Sequence, residues 1–243
     1  MIALVIPDVH LQDWMFCMAH EIIETSNIDK VVVLGDVVDS HENGKDLTAY
    51  ERTKNTTIEF ARKHSDKLIW FYGNHEIGYI EPGCVCRPSN YDAYYMVHEL
   101  LDGVERALGV NSLSIAARLD SVIFSHAGIA DIKTVISRTT PIEKEWDTII
   151  ERFNKTRYRD LWEPNSPIWY RPSDYILPYF RGGCLQVAGH NPSRDPYRFG
   201  NILYTDTFHK DCAQVFPIVD TETQDVIFLG PEFKEYTYPN LVW

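Results

Sequence analysis

The sequence predicts an α/β domain, and three observations carry that expectation. Short apolar runs recur as buried strands: Ile2-Ala3-Leu4-Val5-Ile6, then Val31-Val32-Val33-Leu34, then residues 68–72. Segments with apolar residues at helical spacing separate them, over 11–25 and about 47–63. Each run stops at Pro or Gly and hands over to polar residues: Pro7-Asp8-Val9-His10, Gly35-Asp36-Val37-Val38-Asp39 and Gly73-Asn74-His75-Glu76. Strand ends of this kind are where open α/β folds place their ligands.

The 243 residues suffice for one large domain with a well-buried core. Hydrophobic residues at 44% and charged residues at 24% are ordinary for a globular enzyme, and no apolar run is long enough to span a membrane. The net charge of −12 argues against a nucleic-acid polymer as partner. It leaves room for a local anion site, because bound divalent cations reverse the sign of an acidic pocket. Five scattered cysteines and the absence of a basic leader suggest reduced thiols and a cytoplasmic protein. Cys84-Val85-Cys86 is spaced more tightly than zinc ligands usually are.

In chain order, Asp8 and His10 follow the first strand. If the segment stays extended they project to one side and offer one hard oxygen and one imidazole nitrogen to a cation. Alone, Asp-x-His usually marks a turn. Trp14, Met18, Ile22 and Ile23 then form the apolar stripe of a helix on the sheet. Gly35 allows the sharp turn after the second strand. A carboxylate has two oxygens, so Asp36 can bridge two cations roughly 3.5–4 Å apart. After the third strand, Asn74 offers a neutral carbonyl oxygen. A further helix is expected over 91–108, a hairpin from 113–118 and 122–124, and helices over 129–136 and 142–153. Late strands are expected at 185–188, 202–204, 213–219 and 226–229. The Trp/Tyr cluster from Trp162 to Tyr179 reads as core or cap packing before it reads as a base-stacking platform.

Asp8-x-His10, Gly35-Asp36-x-x-Asp39 and Gly73-Asn74-His75-Glu76, in this order, resemble the calcineurin-like metallophosphoesterases. Ser125-His126-Ala127-Gly128, Trp169-Tyr170-Arg171-Pro172, Gly189-His190-Asn191-Pro192 and Thr205-Asp206-Thr207 narrow the resemblance. They are similar to segments of the serine/threonine phosphoprotein phosphatase branch, nearest its bacterial and phage members. The resemblance implies a two-sheet β-sandwich flanked by helices with a dinuclear metal site at the strand ends; the chain reads as one domain over residues 1–243, with helical or loop insertions less tied to the sheet at about 77–111 and 129–183. It assigns Asp8, His10 and Asp36 to one metal, and Asp36, Asn74, His126 and His190 to the other. This mixed oxygen/nitrogen set suits Mn²⁺ first, with Fe or Zn²⁺ as alternatives. The expected reaction is direct attack of a water bridging the two ions on a phosphate ester. His75 would protonate the leaving group, Asp39 would orient that ring, and Arg171 would grip phosphate oxygens. His20, on the first helix, reads as a surface or boundary residue before it reads as a ligand, and His41, His64, His98 and His209 match no motif and read as structural, although His209 lies soon after Thr205-Asp206-Thr207.

The chain departs from the phosphatase pattern twice: Ser40 and Tyr72 stand where that branch has arginines. Arg52, Arg87 and Arg181 are the candidates to replace them. Three readings follow. The first is a phosphatase of the serine/threonine type acting on a phosphorylated protein or small molecule. The second is a nucleotide hydrolase or phosphodiesterase acting on dinucleoside polyphosphates or cyclic nucleotides, and the third is an idle scaffold that keeps the fold.

Overall fold

A computed structural model of the chain describes residues 1–40, 42–81, 86–130, 142–172, 183–238 and 241. The strands are β1 (Ile2–Ile6), β2 (Lys30–Val33), β3 (Leu68–Phe71), β4 (Leu113–Ser114), β5 (Ala116–Leu119) and β6 (Val122–Ser125), followed by β7 (Leu185–Ala188), β8 (Tyr197–Phe199), β9 (Ile202–Tyr204), β10 (Phe216–Asp220), β11 (Val226–Leu229) and β12 (Glu235–Tyr236). The helices are α1 (Trp14–Thr25), α2 (Leu47–Lys63), α3 (Asn74–Ile80), α4 (Tyr94–Leu108) and α5 (Ile142–Asn154). One sheet has the order β12-β11-β10-β1-β2-β3-β4 and the other β5-β6-β7-β9-β8. Strands β1 to β4 run parallel, as do β6, β7 and β9.

Alternation along the central strands builds the layers. Leu4 and Ile6 of β1, with Val31 and Val33 of β2, face Met15, Ile22, Phe60 and Leu100 of the helices. The residues between them, Ala3, Val5 and Val32, face Phe124, Leu185 and Val187 of the other sheet. A period of two therefore splits one strand between a helix-facing and a sheet-facing core. Helix α5 closes the outer face of the second sheet, where Trp146 and Ile149 pack on Ala116 and Ile123. The expected sandwich flanked by helices is thus observed.

Four details differ from the sequence reading. The stretch 113–118 is not one strand: it leaves the first sheet at Ser114 and joins the second at Ala116. Asn154 pins this crossover, its Oδ1 accepting the N–H groups of Ile115 and Ala116 at 2.8 and 3.1 Å while its Nδ2 donates to the Ala116 carbonyl. The buried stripe of α1 runs through Met15, Phe16, Ala19, Ile22 and Ile23, which leaves Trp14 37% exposed. Residues 74–80 form a helix, and edge strands β8 and β12 were not foreseen. Most of the predicted helix 129–136, together with His41, Cys84, Arg181 and the aromatic residues beyond 172, lies outside the described residues. Among the described residues no helix is long and apolar enough to cross a membrane.

Candidate metal centre

The carboxyl ends of β1, β2 and β3 meet those of β6 and β7 along one edge of the sandwich. The loops there are tied backbone to backbone. Val9 and His10 donate to the Asp36 carbonyl at 3.0 and 2.9 Å, Leu11 donates to Val37, and Gly189 donates to His126. Such tight turns force unusual conformations. Gly35 has φ 96°, as its sequence position suggested, but His10 (47°), Asp36 (48°), Asp39 (61°) and His190 (63°) are also left-handed. Non-glycine residues there carry local strain that surrounding structure must hold, a recurrent property of functional sites. Asp8 and His10 therefore do not share a side through extended backbone; the chain turns at His10 and brings the two groups together.

One cluster is fully enclosed. His126 Nδ1–H donates to the Leu34 carbonyl at 2.9 Å, which leaves the Nε2 lone pair pointing inward. Around Nε2 stand Asn74 Oδ1 at 2.9 Å, His190 Nδ1 at 3.1 Å and Asp36 Oδ2 at 3.3 Å. The Asn74 amide is oriented by Nδ2, which donates to Cys86 Sγ at 3.4 Å. Ligands about 2.1 Å from a shared cation stand roughly 3–4 Å apart, so these spacings fit one ion. A single ring proton can bond linearly to only one of these acceptors, whereas a cation serves all four. His190 Nε2 is also buried without a partner among the described residues. The donor set therefore fits a transition metal. Burial disfavours the imidazolium of His126, but Asp36 and Asp8 outweigh that and raise its pKa to about 9. A proton and a metal ion would compete for the same nitrogen.

The second cluster is open to solvent. His10 Nδ1–H donates to the Asp39 carbonyl at 3.0 Å, so Nε2 faces Asp8 Oδ2 and Asp36 Oδ2, each at 4.0 Å. Asp36 Oδ1 accepts the His75 N–H at 2.9 Å. One oxygen of Asp36, rather than both, consequently faces the two clusters. Burial opposes its ionisation, yet the imidazoles of His126 and His75 hold its carboxyl well below the usual range. Asp8 receives the His190 N–H on both oxygens, at 3.1 and 2.9 Å. It lies so close to Gly189 that a Cβ there would meet Asp8 Oδ1, so any larger residue would have to displace this carboxylate. His75 Nε2 also lies 4.0 Å from Asp36 Oδ2.

His75 and Asp39 are brought together as expected. His75 Nδ1–H donates to Asp39 Oδ2 at 2.9 Å. Burial works against the His75 imidazolium, but Asp36 and the bond to Asp39 prevail and hold its pKa well above the ordinary value. Asp39 is saturated: Tyr50 and Tyr79 hydroxyls donate to Oδ1 at 2.5 and 2.6 Å, and the Ser89 N–H donates to Oδ2 at 3.1 Å. Such a carboxylate stays ionised and fixed.

Glu76 is the residue that sequence reasoning passed over. Its buried carboxylate accepts the N–H groups of Gly73, Asp36, Val37 and Val38 at 2.9, 2.8, 2.7 and 3.2 Å. It thereby ties the start of α3 to the Asp36 loop. A glutamate at the third position of a helix was the available signal, but the backbone it would brace came from another loop. The tyrosine partners of Asp39 carried no signal at all.

Arg171 Nη1 donates to Asn191 Oδ1 at 3.1 Å, and its guanidinium lies 5.8 Å from the Trp169 ring centroid. It is beside His190 and stacked at once. Neither departure from the phosphatase pattern supplies a replacement cation. Tyr72 is buried against Tyr158, with ring centroids 5.4 Å apart, and Ser40 Oγ accepts the Glu42 and Asn43 N–H groups. Arg52 pairs with Asp13 at 2.9 Å, and Arg87 is exposed. A cleft of about 420 Å³ opens beside His10, lined by Trp14, Ser40, Arg52, His209 and Lys210. His209 Nε2 donates to the buried Asp206 Oδ1 at 3.1 Å, so this unassigned histidine belongs to the cleft wall.

Solved structures similar to this chain include a metallophosphoesterase from Sphaerobacter thermophilus (14% identity, TM-score 0.48, covering 96% of this chain and 90% of that one). A phosphoesterase from E. coli, Yfce, is 13% identical with a TM-score of 0.46, covering 98% and 97%. An archaeal phosphodiesterase is 13% identical with a TM-score of 0.41, covering 97% and 99%. No curated protein matches the chain in sequence. The family model described as calcineurin-like phosphoesterase matches residues 1–218, nearly the whole length, and the chain belongs to that family of phosphoester hydrolases.

Proposed function

We propose that the chain is a phosphatase of the serine/threonine type that uses two divalent transition-metal ions, Mn²⁺ first among them, to hydrolyse a phosphate monoester. The observation that supports this most is the junction at Asp36 Oδ2, which faces His126 at 3.3 Å on one side and His10 at 4.0 Å on the other. In this reading Asp8, His10 and Asp36 hold one ion, while Asp36, Asn74, His126 and His190 hold the second. When bound, the ions supply Lewis acidity toward the phosphoryl oxygens and lower the pKa of the attacking water.

The chain's own groups do the rest. His75 Nε2 carries a proton into the site, because Nδ1–H is committed to Asp39 and the neighbouring carboxylates favour the imidazolium. It gives that proton to the departing alkoxide, a contribution of about 10²–10⁴-fold. Asp39, clamped by Tyr50 and Tyr79, keeps the ring in one orientation. Arg171 presents donors to the phosphate at the rim.

A second reading, a phosphodiesterase or nucleotide hydrolase, has one observation in its favour. Of the three positions where the phosphatase branch has arginines, only Arg171 is one, and Tyr72 is buried away from the cleft. A monoester dianion makes more use of guanidinium contacts than a diester does. The deciding experiment is kcat/KM for an aryl phosphate monoester against its diester, in Mn²⁺. Preference for the monoester supports the phosphatase; preference for the diester overturns it in favour of the second reading.

A further inference from the structure

Away from the strand-end centre, three ligating groups converge on the helical face of the first sheet. His20 and Glu24 lie one turn apart on α1, and His64 is the residue that ends α2. His20 Nδ1 stands 3.2 Å from His64 Nε2 and 3.6 Å from Glu24 Oε1. Both separations fall in the range of about 3–4 Å that ligands of one cation adopt, and the three ligand atoms all lie within 4.8 Å of one another. His64 is only 5% exposed, and its ring packs on Phe60 with centroids 4.8 Å apart. Its backbone is fixed as well: its N–H bonds to Phe60, and its carbonyl accepts the Lys67 and Leu68 N–H groups. That carbonyl precedes β3, so the cluster sits toward the amino-terminal edge of the parallel strands, opposite the candidate metal centre.

We propose that His20, Glu24 and His64 form a separate site for a transition-metal dication, of which Zn²⁺ is the representative. Two imidazoles and one carboxylate suit Zn²⁺, Co²⁺ or Ni²⁺ and are poorly matched to Mg²⁺ or Ca²⁺. A hollow of about 150 Å³ lined by Cys17, Glu59 and Thr56 adjoins the cluster and leaves space for a further ligand or water. The bound ion would staple α1 to the end of α2.

Lys63 makes the site testable in an unusual way. Its ammonium lies 2.8 Å from His20 Nε2 and can only donate, so in this structure the ring proton of His20 is on Nδ1, aimed at His64. An ion at Nδ1 moves that proton to Nε2. The Lys63 contact then sets donor against donor and cation against cation, and Lys63, exposed at the helix end, swings out. Lysine thus opposes the ion, while glutamate favours it.

The test is equilibrium dialysis of the full chain against Zn²⁺, with bound zinc counted per chain. His20→Ala is expected to hold one equivalent fewer than wild type, while Mn²⁺-supported turnover stays unchanged. Glu24→Gln, at an exposed position that folding does not depend on, weakens the same equivalent by about tenfold or more. Lys63→Ala tightens it severalfold, and Asp36→Asn leaves it in place. Equal zinc content and affinity in wild type, His20→Ala and Glu24→Gln overturns the site. So does loss of the equivalent in Lys63→Ala.

Discussion

The two halves of the candidate centre are built to different standards of enclosure. Around His126 three ligand-type atoms lie 2.9–3.3 Å from Nε2, itself the fourth, and both His126 (0%) and His190 (5%) are buried. Around His10 the spacings are 4.0 Å, and the side chains of His10 and His75 are 18% and 22% exposed beside the cleft. The difference separates two tasks. The enclosed half is preorganised by packing around its ligand-type atoms, whereas in the proposed function the open half admits substrate and lies next to His75 as proton donor. Asp36 belongs to both.

That shared position predicts the largest loss. Asp36→Asn removes charge from both halves at once, and kcat/KM for a phosphate ester should fall on the order of 10³-fold or more. Metal content per chain should fall with it; full occupancy of both ions in the variant would break the idea of a common bridge. His75→Asn acts on the open half alone. Its kcat should drop about 10²–10⁴-fold for alkyl phosphates and far less for activated aryl phosphates, which need little protonation. Equal losses across leaving groups would assign His75 to positioning instead.

Glu76→Gln sharpens the comparison from beneath. It weakens the acceptor of four N–H groups that shapes the Asp36 loop, so metal affinity should fall about 10–100-fold, as when support of a metal ligand is lost. Isothermal titration with Mn²⁺ on chelator-treated protein would report it. In the wild type the same titration should resolve a tight and a weak class, and one class of equal affinities would erase the distinction between the halves.

The smallest effect concerns pH. A proton donor works only while protonated, so turnover should hold below the raised pKa of His75 and fall as the pH passes through it. Asp39→Asn removes the charge partner and should bring that alkaline limb down toward the ordinary histidine range, with a loss of about tenfold or less at neutral pH. A pH–kcat profile whose alkaline limb does not move would free Asp39 from the role of orienter.

Much of this molecule was legible in one dimension, for a physical reason. Strands β1 and β2, helix α2 and strands β7, β9 and β11 announce themselves because burial on a sheet or a helix face imposes a local period on apolar residues. The strand-end Gly-Asp and Gly-Asn-His signals are local too. What the chain could not declare was anything that depends on two distant backbones meeting. Residues 113–118 look like one strand, yet Asn154, 38 residues beyond Ala116, turns them into a crossover. Glu76 looks like an ordinary helix-start carboxylate until the loop 36–38 is laid upon it. Asp39 gains Tyr50 and Tyr79 only when α2 and α3 both come up to its loop, and His20 meets His64 only when α1 and α2 pack. Residue identity and order determined which chemistry was available. Tertiary packing decided that one oxygen of Asp36 faces both clusters, that one cluster is sealed and the other open, and which neighbours hold each charge. Hydrogen-bond geometry and desolvation act through space over a few ångströms, and no spacing along the chain encodes them.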